Sequence, residues 1–327
     1  MKNIAVLTSG GDAPGMNAAI RAVVRSAFHY GITPYGVRDG FKGLCEDNLF
    51  RMTRKDVTRI INRGGTILGS ARYPQFKEAD TQKKAVQNLK SRSIDGLIVL
   101  GGDGSFRGAK VLADAGIKTI GLPATIDNDI AATDYTIGFF TALDTAVESI
   151  DKLRDTSFSH QRCSVVEVMG RHCGDLALYA GIACGSEFII TPETGFDKDK
   201  TIKAVKQSFD RNKRHAIVVV TERMTDVFEL AKQIEKATTH ETRATVLGHV
   251  QRGGNPQAFD RVIAIEMAEK AVYLLSESTG NKIIALHRKD VVAVSFDEAL
   301  TAKKELPSKR YGLFGKLSTE EGKDDTV

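Results

Sequence analysis

Leu122-Pro123-Ala124-Thr125-Ile126-Asp127-Asn128-Asp129 is the stretch on which the reading of this chain turns. The apolar run leading into it, residues 119–122, has the content of a buried strand. Proline has no N–H to give a sheet ladder, so Pro123 ends that strand. The turn that follows carries a hydroxyl, an amide and two carboxylates between Thr125 and Asp129. Two acids this close repel unless a cation or a proton sits between them. The carboxyl end of a strand is also where open α/β sheets bind ligands. The competing reading is an Asx-rich surface turn, because Asp and Asn favour turns on their own account.

On either side, short aliphatic runs alternate with helical patterns. The spacing predicts strands at 4–7, 33–37, 97–100, 119–122, 164–168, 187–190, 216–221, 244–247, 282–286 and 291–294. It predicts helices over 14–30, 53–61, 81–90, 105–115, 141–155, 175–183, 200–211, 227–237 and 261–275. In the second of these, Thr53 is read as the N-cap, with Gly64-Gly65 beyond the end. The alternation argues for an α/β fold with parallel sheets covered by helices, and 327 residues suffice for two such halves meeting at a cleft. The polar, acidic tail from Glu320 is expected to fray.

The net charge of +5 is mild and acids are spread throughout, with 7% aromatic residues and no tryptophan. That argues against a nucleic-acid binder, which concentrates basic residues and aromatics on one face. Small anionic ligands suit it better. Cys45, Cys163, Cys173 and Cys184 form no C-x-x-C pair, so reduced thiols are expected. The apolar run Ile4-Ala5-Val6-Leu7 is too short for a signal peptide, and no run reaches membrane-spanning length. A cytoplasmic protein with no membrane or nucleic-acid partner is the expectation.

Three glycine-rich turns follow predicted strands. Thr8-Ser9-Gly10-Gly11-Asp12-Ala13-Pro14-Gly15-Met16-Asn17 leads directly into a helix. Glycines let backbone N–H groups approach an anion, and a helix N-terminus adds partial positive charge. Gly101-Gly102-Asp103-Gly104-Ser105 adds an acid, and Gly248-His249-Val250-Gln251-Arg252-Gly253-Gly254 adds cations. One such turn is explained by a tight connection; three argue for a cleft that takes phosphate. No G-x-x-x-x-G-K-[ST] is present. Gly102, Gly104 and Gly108 miss the dinucleotide fingerprint by one residue. Asp103 makes sense beside phosphates if Mg²⁺ bridges it to them. Arg72, Arg162, Arg171, Arg243 and Arg252 lie near these turns or strand ends, and guanidinium binds phosphate by charge-assisted, bidentate bonds.

Together these residues resemble the bacterial-type ATP-dependent 6-phosphofructokinases. The matching motifs are Thr8 to Asn17, Asn62-Arg63-Gly64-Gly65-Thr66, Gly69-Ser70-Ala71-Arg72, Gly101 to Ser105, Pro123 to Asp129, Met169-Gly170-Arg171 and Gly248 to Gly254. The likeness runs to about residue 300; the stretch after Pro307 does not look like the family's usual ending. The resemblance implies two Rossmann-like α/β/α sandwich domains with mostly parallel sheets and an active site in the cleft between them. Residues 1–138 plus 251–305 would bind ATP, and residues 139–250 plus 306–327 would bind fructose 6-phosphate.

The resemblance further implies transfer of the γ-phosphoryl group of ATP to the 1-hydroxyl of fructose 6-phosphate, the committed step of glycolysis. Asp127 would be the general base, supported by Asp129; Asp103 would serve Mg²⁺; Thr125 and Arg171 would contact the moving phosphoryl group. Gly11, Arg72, Tyr73, Gly102, Asp103, Gly104 and Ser105 would hold ATP. Arg162, Arg243, His249 and Arg252 would hold the sugar's 6-phosphate, and Met169, Gly170, Arg171 and Glu222 the sugar. Arg162 and Arg243 would reach in from a neighbouring subunit of a homotetramer. ATP rather than pyrophosphate is implied as donor, since pyrophosphate users carry Asp at the position of Gly104 and Lys at that of Ala124. Ala124 is itself a departure, glycine being usual in ATP users.

A second basic set, Arg21, Arg25, Arg54, Arg59, Arg154, Arg211, Lys213, Arg214 and His215, together with Gly185 and Glu187, matches the family's allosteric site for ADP or phosphoenolpyruvate. Arg59 stands where relatives often have an acidic or neutral residue, so effector response could differ here. A basic helix face alone would explain the same residues. Two rival readings accompany the main one. A kinase of another acceptor shares the Gly-Gly-Asp-Gly turn with NAD and lipid kinases, which lack Thr-Ile-Asp-Asn-Asp. A non-catalytic nucleotide sensor would leave the paired carboxylates and Arg171 without a purpose.

Overall fold

The structure, a computed structural model, describes residues 1–318. In chain order its strands are β1 (Asn3–Thr8), β2 (Thr33–Val37), β3 (Leu49–Arg51), β4 (Gly96–Gly101), β5 (Lys118–Pro123), β6 (Cys163–Val168), β7 (Phe188–Ile190), β8 (Ala216–Thr221), β9 (Thr242–Val246), β10 (Lys282–His287) and β11 (Asp290–Ser295). Its helices are α1 (Met16–His29), α2 (Gly40–Cys45), α3 (Ala79–Ser91), α4 (Asp103–Asp114), α5 (Phe139–His160), α6 (Asp175–Ala183), α7 (Lys198–Asp210), α8 (Val227–Thr238), α9 (Ala258–Ser276), α10 (Phe296–Thr301) and α11 (Ser308–Ser318). Two compact units result: Met1–Thr141 with Arg252–Lys304, and Ala142–Gln251 with residues 305–318.

The first unit holds a sheet of order β11-β10-β5-β4-β1-β2-β3. All neighbours in it are parallel except the edge pairs β10–β11 and β2–β3. The central strands read as continuous aliphatic runs because both faces are covered. Ala5, Leu7, Leu97 and Val99 join a core with Phe41 and Leu44 of α2, Leu89 of α3, and Phe106 and Leu112 of α4. The alternate positions Ile4, Val6 and Ile98 are equally buried and point the other way, to the side where α1 and α9 pack on each other and on the sheet. Gly108, the last glycine of the near-fingerprint, is a packing residue: a Cβ there would lie 2.9 Å from the Phe41 ring.

The second unit holds a parallel sheet of order β7-β8-β6-β9. Cys163, Val165, Val218, Val220 and Ile190 pack on Val205 of α7 and on Val227, Leu230 and Ile234 of α8. Helix α6 lies against β7 and β8. Both units are therefore α/β with mostly parallel sheets, as the alternation predicts.

The expected helix over 53–61 does not form. Nor does Thr53 cap one: its N–H and hydroxyl both donate to Asp56, at 2.7 Å, where an N-cap side chain would accept from a backbone N–H. The bonds that follow are i to i+3, from Asp56 N–H to Thr53 O and from Thr58 N–H to Lys55 O. Arg59 then takes a left-handed φ of 60°, which a helix does not continue through. Helix α11 lies in the stretch that lacked a family likeness, and the tail expected to fray lies outside the described residues.

Candidate active site

In the first unit β1, β4 and β5 are adjacent and parallel, in a register that pairs Thr8 with Leu100 and Gly101 with Pro123. Their carboxyl ends present three turns side by side. The Ser9 N–H donates to the Leu100 carbonyl at 2.9 Å, and the Ala124 N–H to the Gly101 carbonyl at 3.0 Å. Ala124 is not among the residues with positive φ, so its methyl costs no backbone strain.

The turn after β1 is tied to the loop 63–70 by side-chain hydrogen bonds. Asn17 Nδ2 donates to the carbonyls of Arg63 and Gly64, and Asn17 Oδ1 accepts from the Ile67 N–H at 2.8 Å. The Thr8 hydroxyl donates to the Gly69 carbonyl, and the Ser70 hydroxyl to the Gly10 carbonyl. Gly11 is required by close approach: a Cβ there would fall 2.0 Å from Arg252 Nη1. Arg252 in turn donates to the Asp12 carbonyl at 3.3 Å. Arg72 is exposed, and Tyr73 packs partly buried against the unit's core.

At the end of β4, Gly102 is the N-cap of α4, and Asp103, Gly104 and Ser105 form its first turn. Asp103 pairs with Arg107 one turn on, at 3.0 Å. Both side chains are largely exposed, so the pair contributes little by itself. A Cβ added at Gly104 would meet nothing within 4 Å.

The turn after β5 is not a surface turn. Thr125, Asp127 and Asn128 are 9%, 6% and 1% exposed. The Asp127 N–H donates to Thr125 Oγ1 at 3.2 Å. The Asn128 side chain accepts from the Thr136 N–H at 3.0 Å and donates to the Asp134 carbonyl, while the Thr136 hydroxyl donates to the Thr125 carbonyl at 2.6 Å. Ile137 closes the loop, bridging to Ala124. The chain then enters α5, whose first turn is held by buried Asp260 of α9. Its carboxylate accepts from the N–H of Gly138 and from the N–H and hydroxyl of Thr141, at 2.6–2.9 Å.

Asp103 and Asp129 line one cavity of about 170 Å³ together with Arg107 and Lys304. Among the described residues no group of three or more His, Cys, Asp or Glu could hold a metal alone. Two carboxylates on one cavity fit Mg²⁺, which takes its remaining oxygens from phosphate and water.

In the second unit β6, β8 and β9 are neighbours, and a different set gathers at their carboxyl ends. After β6 come Met169, Gly170 and Arg171. Gly170 has φ 142°, and a Cβ there would lie 2.4 Å from the Cys173 carbonyl. The Arg171 N–H donates to Glu222 Oε1 at 3.0 Å, and the Met169 N–H to Gln251 Oε1. Arg171 and His249 are exposed. Burial, with Glu222 and Asp226 nearby, pushes the Glu167 carboxyl up from its ordinary value.

Arg162 and Arg243 are not part of that group. They sit at the amino-terminal end of the same sheet, six residues of β6 away, which is roughly 20 Å. Both grip Glu241, Arg162 Nε at 2.5 Å and Arg243 Nε at 2.7 Å. The hydrogen bond from Arg162, then that from Arg243, holds the Glu241 carboxyl below the ordinary range. Sequence reading missed Glu241, since a Glu two residues before an Arg has no signal of its own.

The second basic set divides by unit. In the first, Arg21 and Arg25 lie one turn apart on α1, and Arg54 stacks over Phe28 of the same helix at 5.1 Å. Burial, then Arg25, lowers the Arg21 pKa. Arg59 lies in the turn described above. In the second, Glu187 accepts from the Ile217 N–H at 2.5 Å and pairs with Lys213 at 3.4 Å. Arg214 stacks over Phe158, and the His215 ring packs edge-on to Phe158. Among the described residues, Arg154 Nε and Nη2 and His215 Nδ1 are buried with no hydrogen-bond partner. Gly185 (φ 57°) ends the turn after α6, and Arg211 caps α7. Among the described residues no helix is long and apolar enough to cross a membrane.

Comparison with known proteins bears on these clusters. The family profile described as Phosphofructokinase matches residues 3–275. A protein named ATP-dependent 6-phosphofructokinase from Vibrio campbellii (strain ATCC BAA-1116) is 58% identical over 292 residues, 89% of this chain and 91% of that one. A protein of the same name from Glaesserella parasuis serovar 5 (strain SH0165) is 56% identical over 302 residues, 92% of this chain and 94% of that one. The solved phosphofructokinase from Saccharomyces cerevisiae matches with a TM-score of 0.86 at 35% identity, over 97% of this chain; this chain spans 48% of that one's length. The pyrophosphate-dependent phosphofructokinase from Nitrosospira multiformis, at 21% identity, shares the fold with a TM-score of 0.86 over 100% of this chain and 95% of that one.

Proposed function

The chain belongs to the phosphofructokinase family, and we propose that it phosphorylates fructose 6-phosphate at the 1-hydroxyl with ATP, giving fructose 1,6-bisphosphate and ADP. One observation carries the chemistry: a buried carboxylate, Asp127, lies on a hydrogen-bonded turn beside two glycine turns at adjacent parallel strand ends. In-line phosphoryl transfer needs a base for the attacking hydroxyl and preorganised donors for the charge on the moving group. Asp127 accepts the hydroxyl proton as the sugar oxygen bonds to the γ-phosphorus. The bond to the β-phosphate breaks, and its electron pair leaves with ADP. The Thr125 hydroxyl and Arg171 stabilise the phosphoryl oxygens.

The turn at Gly11, the residues Arg72 and Tyr73, and the α4 N-terminus from Gly102 to Ser105 hold ATP, backbone N–H groups facing phosphate. Asp103, with Asp129 on the same cavity, would hold Mg²⁺, which would neutralise charge on the phosphates. Open space at Gly104 supports a donor as large as ATP. Met169, Gly170, Arg171 and Glu222 hold the sugar; His249 and Arg252 hold its phosphate. Arg162 and Arg243, at the far end of their sheet, serve the same phosphate in a neighbouring copy. That reading implies a homotetramer with shared sites, working in the cytoplasm in glycolysis. Arg252→Ala removes charge-assisted bonds of about 1.5–3 kcal/mol. It should raise KM for fructose 6-phosphate by roughly 10- to 150-fold with a smaller change in kcat. An unchanged KM in initial-rate assays would move the phosphate site elsewhere.

The second basic set takes an allosteric anion, ADP or phosphoenolpyruvate. His215 supplies a test. Burial lowers its pKa below the ordinary value; Glu187 opposes this, and Arg154 and Lys213 add to it. The ring is therefore neutral at pH 7. A bound anion raises its pKa, so binding takes up a proton and tightens as pH falls. Calorimetry in buffers of different ionisation enthalpy should detect this uptake at pH 7, up to about one proton per site. His215→Gln should lose that share. Equal uptake by both proteins would exclude His215 from the site.

A further inference from the structure

We propose that Lys304 is a positioning residue for the turn that carries Asp127, an inference that rests on the reading of Asp127 as the base. Lys304 lies on the irregular stretch just past α10 and is the last residue of the first unit. Its ammonium donates to the Asn128 carbonyl, a contact between residues 176 positions apart in sequence. The same side chain lines the cavity shared by Asp103 and Asp129.

Asn128 is the pivot of this turn. Its backbone is left-handed, φ 51°, a conformation Asn tolerates better than most residues but that still needs support. The side-chain amide is fixed on one side by Thr136 and Asp134. The backbone carbonyl is fixed by Lys304. That carbonyl belongs to the peptide joining Asn128 to Asp129, so holding it sets the plane from which Asp129 projects. An ammonium suits the position twice over: it gives the carbonyl a charge-assisted bond, and it places a cation in a cavity that two carboxylates line. Neighbouring Lys303 is exposed and does not line the cavity, so it makes a control of equal charge.

Lys304→Met keeps the aliphatic stem and removes the donor. It should lower kcat about 10- to 100-fold, the cost of a misplaced reacting group, with KM for fructose 6-phosphate changed no more than about threefold. Hydrogen exchange of peptides spanning residues 124–130 should accelerate in the same variant. Lys304→Arg should restore slow exchange and most of the turnover, and Lys303→Met should match the parent protein in both readouts. Unchanged exchange at 124–130 in Lys304→Met would overturn the inference whatever its activity. If that variant raised KM for ATP without loosening the turn, Lys304 would be a phosphate ligand instead. Turnover of the parent protein is measured alongside. If the parent lacks turnover, the functional reading fails, while the exchange data still decide whether Lys304 holds the turn.

Discussion

Replacing Asp127 by serine lowers kcat by about 10²- to 10⁴-fold, the usual loss when a general base is removed, and leaves KM for ATP and fructose 6-phosphate within a few-fold. The substitution is specific because of how the turn is built. Its framework runs through the Thr125 hydroxyl and carbonyl, the Asn128 amide and Thr136, all of which the variant keeps. A serine can still accept a hydrogen bond from the sugar hydroxyl but cannot take its proton at neutral pH. Initial rates measured with both substrates varied separate the two effects. A variant within tenfold of the parent would show that another group accepts the proton.

Replacing Asp260 by alanine costs roughly 3 kcal/mol or more of stability, since it strands several buried donors at once. Asp260 is fully buried, and its carboxylate joins the N-terminus of α5 to α9 through Gly138 and Thr141. Carboxylate acceptors suit a helix N-terminus, where unsatisfied N–H groups and the helix dipole favour negative charge. The midpoint of thermal unfolding should fall by about 6–12 °C. Asp260→Asn, which keeps one acceptor, should lose less. A shift under about 2 °C for the alanine variant would mean that water replaces the carboxylate.

What the chain discloses before folding divides along physical lines. Local pattern locates β2, β8 and α6 to the residue, because glycine or charged residues punctuate each of them. The same pattern misleads at 53–61, where Thr53 and Asp56 bond into a turn and Arg59 is left-handed. The glycine turns are legible as anion sites by composition, but only the sheet order shows that those after β1 and β4 lie beside the acidic turn after β5. Asp127 and Asn128 could pass for surface turn residues, and burial removes that reading. Least legible are the supports. Asp260 looks like an N-terminal acid for its own helix, yet it also holds the start of α5. Lys304 looks like one of several tail lysines, and Glu241 like a strand-edge acid. Each acts through a tertiary contact that no local spacing encodes.

The most direct measurement is fructose 1,6-bisphosphate formation by the purified protein given Mg²⁺ and fructose 6-phosphate, with ATP and pyrophosphate supplied in parallel. Product with ATP alone is the predicted result, and it would bear out both the acceptor and the donor argued from Gly104. Product with pyrophosphate alone would contradict the donor. No product with either, from protein verified to be folded and assembled, would contradict the assignment of Asp127 as base for this sugar.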